Sequence, residues 1–159
     1  MPVVSNSGPV LAFGRADLLS LLKDVVSEIH IPEAVYEEIV LQGAGRPAAD
    51  QIAKAIWIKR GSVRDRRFLA QLSKRLHLGE QEAIALARES GWPLLIDEKA
   101  ARLEAHRLGI SYLGSLRILQ TAKEDGLIKE IKPVLDQMIA SGMYVHKTLY
   151  GWFLMQNSE

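Results

Sequence analysis

Short apolar, β-branched runs alternate along this chain with longer amphipathic segments, the pattern of a parallel sheet with helices packed on its faces. The fold class this predicts is α/β, with a central parallel sheet of four or five strands. The strand candidates are residues 3–5, 28–31, 55–59, 94–96 and 110–113, each leading into a turn or helix signal. Pro9 and Pro32 sit where helices can begin, because proline's fixed φ and missing N–H suit the first helical turn. After Pro32, Val35, Ile39 and Val40 make an apolar stripe, while Glu33, Glu37 and Glu38 lie on the remaining surface of that helix. Leu18, Leu19, Leu21, Leu22, Val25 and Val26 form another amphipathic helix. Further helices are expected over 79–90, ended by Gly91, over 98–108, ended by Gly109, and from a capping Ser115 to about Asp125. Two more follow over 129–140 and 146–156, and the loop rich in glycine is 42–47 (QGAGRP).

A chain of 159 residues is one domain, spanning 1–159, and long enough to bury a sizeable core. With 48% hydrophobic and 25% charged residues, the composition is that of a soluble globular protein rather than a disordered or fibrous one. A net charge of +1 provides no global attraction to polyanions, so a nucleic-acid partner must be held by a local patch. The absence of cysteine excludes disulfides, thiolate metal sites and thiol nucleophiles, and it fits a reducing cytoplasm. No run approaches 18 apolar residues and the start, MPVVSNSGP, lacks a basic region before a long apolar stretch, so neither a membrane span nor a signal peptide is expected.

Familiar motifs are missing: there is no GxxxxGK[ST] phosphate loop, no GxGxxG after a strand, no HExxH and no GxSxG. The histidines His30, His77, His106 and His146 are scattered without ligand spacing. What remains is a set of polar and acidic residues at strand ends or on neighbouring helices. In open parallel sheets, sites form outside the carboxyl ends of the strands. Asn6 and Ser7 lie at that end of the first strand, and Asp97 and Glu98 at that end of the 94–96 strand. Glu37 and Glu38 ride the helix after the second strand, and Glu80 and Glu82 the helix leading into the 94–96 strand. Three or four such oxygens in one cleft would bind a hard divalent cation. Each acid also has an ordinary use: Glu80 stabilises a first helical turn, Asp97 caps the next helix, and Asn6 makes a turn hydrogen bond.

With those residues in view, the order of segments resembles a PIN-domain protein, the nuclease fold that includes VapC-type ribonuclease toxins of prokaryotic toxin–antitoxin pairs. VVSNSGPVLAF at 3–13 resembles the family's opening strand, acid, hydroxyl residue and helix. IHIPEAVYEEIV at 29–40 resembles its second strand and glutamate-bearing helix. LGEQEAIALARESGWPLLIDEKAAR at 78–102 resembles the block that carries its third and fourth acids, and GISYLGSLRILQTAKEDGLI at 109–128 its last strand, turn and helix. The resemblance implies a site of Asn6, Glu38, Glu80 and Asp97, with Glu98 as a further metal ligand and Ser7 and Ser115 as supporting hydroxyls. Glu37 is the alternative to Glu38 if the register shifts by one, and Glu80 matches the third acid better than Glu82. Asn6 departs from the pattern, standing where the family has its first aspartate. A neutral amide in place of a carboxylate weakens affinity for a hard cation.

The charge is uneven in one place, since residues 59–75 hold Lys59, Arg60, Arg64, Arg66, Arg67, Lys74 and Arg75 against Asp65 alone. Phe68, Leu69, Leu72 and Leu76 lie between these charges, which predicts a surface helix with one face buried. Arg64, Arg66, Arg67, Lys74 and Arg75 are the candidate RNA contacts. Tyr144, Tyr150, Trp152, Phe153 and Leu154 crowd the end of the sequence and read as core, with an interface as the minority alternative. The expected function is a cytoplasmic, Mg²⁺- or Mn²⁺-dependent endoribonuclease acting on single-stranded RNA. The resemblance further implies a homodimer and a small antitoxin protein as partner. A catalytically silent PIN-like module that binds RNA or a protein is the rival, and a receiver-type phosphoacceptor domain is disfavoured because the SNSGP turn carries no acid pair.

Overall fold

In the computed structural model, which describes residues 1–159, the strand runs assemble into one parallel sheet in the order β3-β2-β1-β4-β5. The strands are β1 (Val3–Ser5), β2 (Ile29–Pro32), β3 (Ile58–Gly61), β4 (Leu94–Leu95) and β5 (Tyr112–Leu113). β1 is central, with Val3 opposite Ile29 on one side and Val4 opposite Leu94 on the other. Because strand side chains alternate between faces, these runs serve two cores. Val3, Ile29, Ile31 and Leu95 enter one, and Val4, Leu94 and Ile96 the other. A strand buried on both faces is largely apolar, which is why these segments read as near-continuous apolar runs, with Ser5 and His30 as the polar members of β1 and β2.

The helices divide between the two faces. On the first pack α1 (Ser7–Arg15), α2 (Leu19–Val26), α7 (Ser115–Glu124), α8 (Ile131–Ala140) and α9 (Lys147–Gln156), joined by Val35 and Ile52 from the helical segments between β2 and β3. On the second lie α5 (Leu78–Ser90) and α6 (Lys99–Arg107), through Ala83, Ile84, Ala87, Ala101 and Ala105. Gly91 ends α5 in the left-handed conformation, φ 75°, which a residue without Cβ adopts at no steric cost. At the far end of the chain the Glu159 carboxylate accepts from the backbone N–H of Ile131 (2.8 Å) and Lys132 (2.9 Å) and from Lys123 Nζ (2.8 Å), fastening α8 to α7. Burial alone would raise this carboxyl, but Lys123 and the two backbone N–H groups outweigh it and hold the group below its ordinary range. No helix is long and apolar enough to cross a membrane.

The structure departs from the sequence-based expectation in three places. The helix after β2 begins as α3 (Glu33–Tyr36) but widens into a π turn over Glu37–Leu41. A wide turn inserts an extra residue and is frequent at functional sites. Beyond it the chain doubles back so closely that a Cβ on Gly43 would lie 2.4 Å from the Ile39 carbonyl oxygen, so only glycine fits. Next, Pro47–Lys54 forms α4, which the loop reading of 42–47 did not anticipate. Pro47 opens it and Ala48, Ala49 and Ile52 are its buried face. Finally, the basic segment is a short 3₁₀ helix, Arg66–Gln71, rather than an amphipathic α-helix. Asp65 accepts from Phe68 N–H at its start, Leu72 is extended, and Ser73 Oγ accepts from Arg75 N–H, so local side-chain bonds compete with helix continuation. Phe68, Leu72 and Leu76 are nonetheless buried as predicted. Of the late aromatics, Phe153 is in the core, while Trp152 and Tyr144 are exposed.

Candidate functional site

The connection from β1 runs to β2 on one side and that from β4 runs to β5 on the other, so the gap between β1 and β4 is a topological switch point. Ligand crevices of open α/β sheets form at such points, beyond the carboxyl ends of the strands. A cleft of about 310 Å³ lies here. Its walls include Asn6, Ser7 and Gly8 from the start of α1, Glu38 from the π turn, Arg75, His77 and Glu80 from the approach to α5, and Glu98 ahead of α6. Residues far apart in the chain are thus gathered by strand order alone.

Each side chain is set by its local structure. Asn6 is the N-cap residue of α1, and only 5% of it is exposed, yet its side chain makes no capping hydrogen bond and no other bond within the protein. The turn-bond explanation of Asn6 is therefore overturned. No buried side-chain nitrogen or oxygen of the protein lacks a hydrogen-bond partner, so the Asn6 amide, unpaired within the protein, is open to solvent in the cleft. Glu38 is exposed, with no side-chain partner, and it rather than Glu37 lines the cleft. Glu80 is buried at the third position of α5, where one oxygen accepts from His77 N–H at 3.0 Å; this fixes its rotamer and leaves the second oxygen without a protein partner. Gly79 lies between these groups: a Cβ there would stand 3.2 Å from Glu38 Oε2, a tight contact, and 3.7 Å from Asn6 Oδ1, an ordinary one, so both oxygens border the glycine.

Asp97 does not share this arrangement. It is absent from the walls of the cleft, and both its oxygens are bonded to Ser115, Oδ1 to the backbone N–H at 2.8 Å and Oδ2 to the hydroxyl at 2.6 Å. The expected supporting hydroxyl, Ser115, is fully buried and supports Asp97 rather than the cleft. Asp97 is thereby the carboxylate cap of α7, favoured by the positive end of that helix. Its neighbour Glu98 faces the cleft instead. Glu82 has a similar structural use, since its buried carboxylate accepts from Ala34 N–H and from Arg66, each at 3.0 Å.

The donors facing the cleft are hard oxygens, one amide carbonyl and three carboxylates, with His77 beside them. No three Asp, Glu or His side chains lie close enough together to enclose an ion. The set fits a cation that keeps much of its water, as Mg²⁺ does when held by one or two carboxylates. Gly79 keeps the floor of the cleft low between Glu38 and Asn6, since any Cβ there would press on Glu38 Oε2 at 3.2 Å. Of the candidate RNA contacts, Arg75 reaches the cleft wall and Arg66 is paired to Glu82. The side chains of Arg64, Arg67 and Lys74 are exposed and make no ion pair. Sequence reasoning missed His77 and Gly79; the HLGE order, with a glutamate three residues after the helix cap, was the available signal.

A PIN-domain family model matches residues 2–159, and the chain belongs to that family. PIN domains are generally nucleases, and typically use divalent metals. Among solved structures, the chain is similar to a PilT N-terminus domain protein from the hyperthermophilic archaeon Sulfolobus solfataricus P2. The two share 16% identity and a TM-score of 0.52 over 92% of this chain and 98% of that one. At that identity the likeness establishes a common fold. No curated protein matches the chain by sequence.

Proposed function

We propose that this protein is a Mg²⁺- or Mn²⁺-dependent endoribonuclease that cuts single-stranded RNA in the cytoplasm, as the toxin of a toxin–antitoxin pair with a small antitoxin protein as partner. The observation that carries the nuclease reading is the approach of the unpaired, cleft-facing Asn6 amide and the Glu38 carboxylate to Gly79, at the switch point of a nuclease fold. Asn6 and Glu38 are the residues that would hold the ion, with Glu80 and Glu98 as the neighbouring carboxylates that would add negative charge to its surroundings. When bound, the ion acidifies water and stabilises the leaving oxygen of a phosphodiester. Arg75, on the cleft wall, neutralises a substrate phosphate, and the neighbouring free Arg67 and Lys74 extend that attraction along the strand. The homodimer belongs to the same proposal, and the exposed Leu149, Trp152 and Met155 on α9 suit an interface.

The second reading, a silent module that binds RNA without cutting it, is favoured by Asn6, which removes one negative charge from the ion site. One substitution separates the two. Asn6→Asp is expected to raise Mn²⁺-dependent cleavage of a labelled single-stranded RNA about 100-fold, the scale on which added charge acts in metal catalysis. Cleavage that stays undetectable in both chains would establish the silent module. Activity that survives Glu38→Gln would remove this cleft from the reaction.

A further inference from the structure

The cleft continues past Gly8 and Glu98 into a second cavity of about 370 Å³, whose walls include Ala12 and Arg15 of α1, Asp97 beside Glu98, and Met143 and Tyr144 of the loop after α8. Gly8, Ala12 and Arg15 recur at helical spacing and so form one stripe along α1, which is about 12 Å long. The stripe is open, for a Cβ on Gly8 would meet nothing within 4 Å. At its far end Arg15 is exposed and makes no ion pair. Facing it, Tyr144 is 83% exposed and its hydroxyl has no partner in the protein. The loop that carries Tyr144 is nevertheless fixed: Gly142 takes φ 116°, and Met143 N–H donates to the Met138 carbonyl at 3.0 Å. A large aromatic ring held out into solvent on an anchored loop, across from an unpaired guanidinium, matches a nucleotide in both its parts. An aromatic face stacks any unpaired base, and a guanidinium forks onto phosphate.

We propose that this groove seats the nucleotide flanking the bond to be cut, with its base stacked on Tyr144 and its phosphate on Arg15. The inference rests on the nuclease reading for the identity of the ligand, and it deepens that reading by giving the strand a direction, from Arg75 across the cleft to Tyr144. Asp97 and Glu98, which line the same cavity, repel a phosphate from their side of it and leave Arg15 as its one cationic contact there.

The test measures binding of a fluorescein-labelled single-stranded RNA by anisotropy in EDTA, where no cleavage intervenes. Tyr144→Ala is expected to weaken binding about tenfold, while Tyr144→Phe keeps native affinity because the ring rather than the hydroxyl is used. Arg15→Ala should lower the slope of log affinity against log salt by about 0.7, one phosphate contact on a single strand. Gly8→Leu, which fills open space, should obstruct the groove and weaken binding without lowering the melting temperature. Duplex RNA, whose bases are not free to stack, should be indifferent to Tyr144. Native affinity in Tyr144→Ala, or an equal loss on duplex, overturns the subsite while leaving the nuclease reading in place. A chain that never cleaves, even as Asn6→Asp, yet needs Tyr144 to hold single strands keeps the subsite and loses the nuclease. Failure of the native chain to bind RNA at all overturns both.

Discussion

Asp97 and Glu98 are adjacent in the chain and opposite in circumstance. Asp97 has both oxygens bonded to Ser115 at the start of α7, whereas Glu98 lies exposed on the wall of a cleft with no partner in the protein. The same division separates Glu82, tied to Ala34 and Arg66, from Glu38, tied to nothing. One group of acids holds elements together, and the other is left free to meet a ligand. Charge alone does not distinguish them, but satisfaction of their hydrogen bonds does. Two hydrogen bonds occupy two of the four lone-pair sites of a carboxylate, so what separates Asp97 from Glu98 is an orientation fixed by Ser115 rather than a loss of acceptor capacity.

This contrast is open to direct attack, beginning with the strongest expected effect. Asp97→Ala removes two charge-assisted bonds from the start of α7 and should destabilise the protein by about 3 kcal/mol in chemical denaturation. A stable Asp97→Ala protein that had lost only its metal response would reverse the assignment. Glu82→Ala leaves the Ala34 N–H without its partner and should cost about 2 kcal/mol by the same measurement. Glu159→Gln weakens the clamp on α8 by about 1 kcal/mol, with a characteristic pH dependence. Because folding lowers the Glu159 carboxyl, its contribution is complete above the value of a free glutamate, about 4.3, and is lost as pH falls through the lower folded value. Melting temperatures of the native and Glu159→Gln proteins should therefore differ at neutral pH and converge in acid. Smallest of all, Glu38→Gln should shift stability by no more than about 0.5 kcal/mol, while removing the protection that Mn²⁺ gives against thermal unfolding. A large loss of stability there would place Glu38 with the structural acids.

The architecture was legible in the sequence because its signals are local. Val3–Ser5 and Ile29–Pro32 are largely apolar because they are buried on both faces, and Gly91 marks the end of α5 through its backbone alone. The choice between neighbouring acids was less legible. Whether Asp97 or Glu98 faces the cleft depends on Ser115, 18 residues further on, whose backbone N–H and hydroxyl claim Asp97. The π turn that carries Glu38 was hidden for a related reason, since an apolar stripe of Val35, Ile39 and Val40 is compatible with an ordinary helix. The basic segment misled in conformation but not in placement, because local polar bonds of Asp65 and Ser73 redirect a chain whose apolar anchors are still buried.

The strand order has a consequence for timing during synthesis. Asn6 and Glu38 are made early, but Glu80 and Glu98 come later, and the cleft closes only when Leu94 settles beside Val4 across ninety residues of intervening chain. A polypeptide still emerging from the ribosome holds its two halves of the site apart. The cleft therefore belongs only to a chain that extends past β4, and a fragment ending before Leu94 carries Asn6, Glu38 and Glu80 without Glu98.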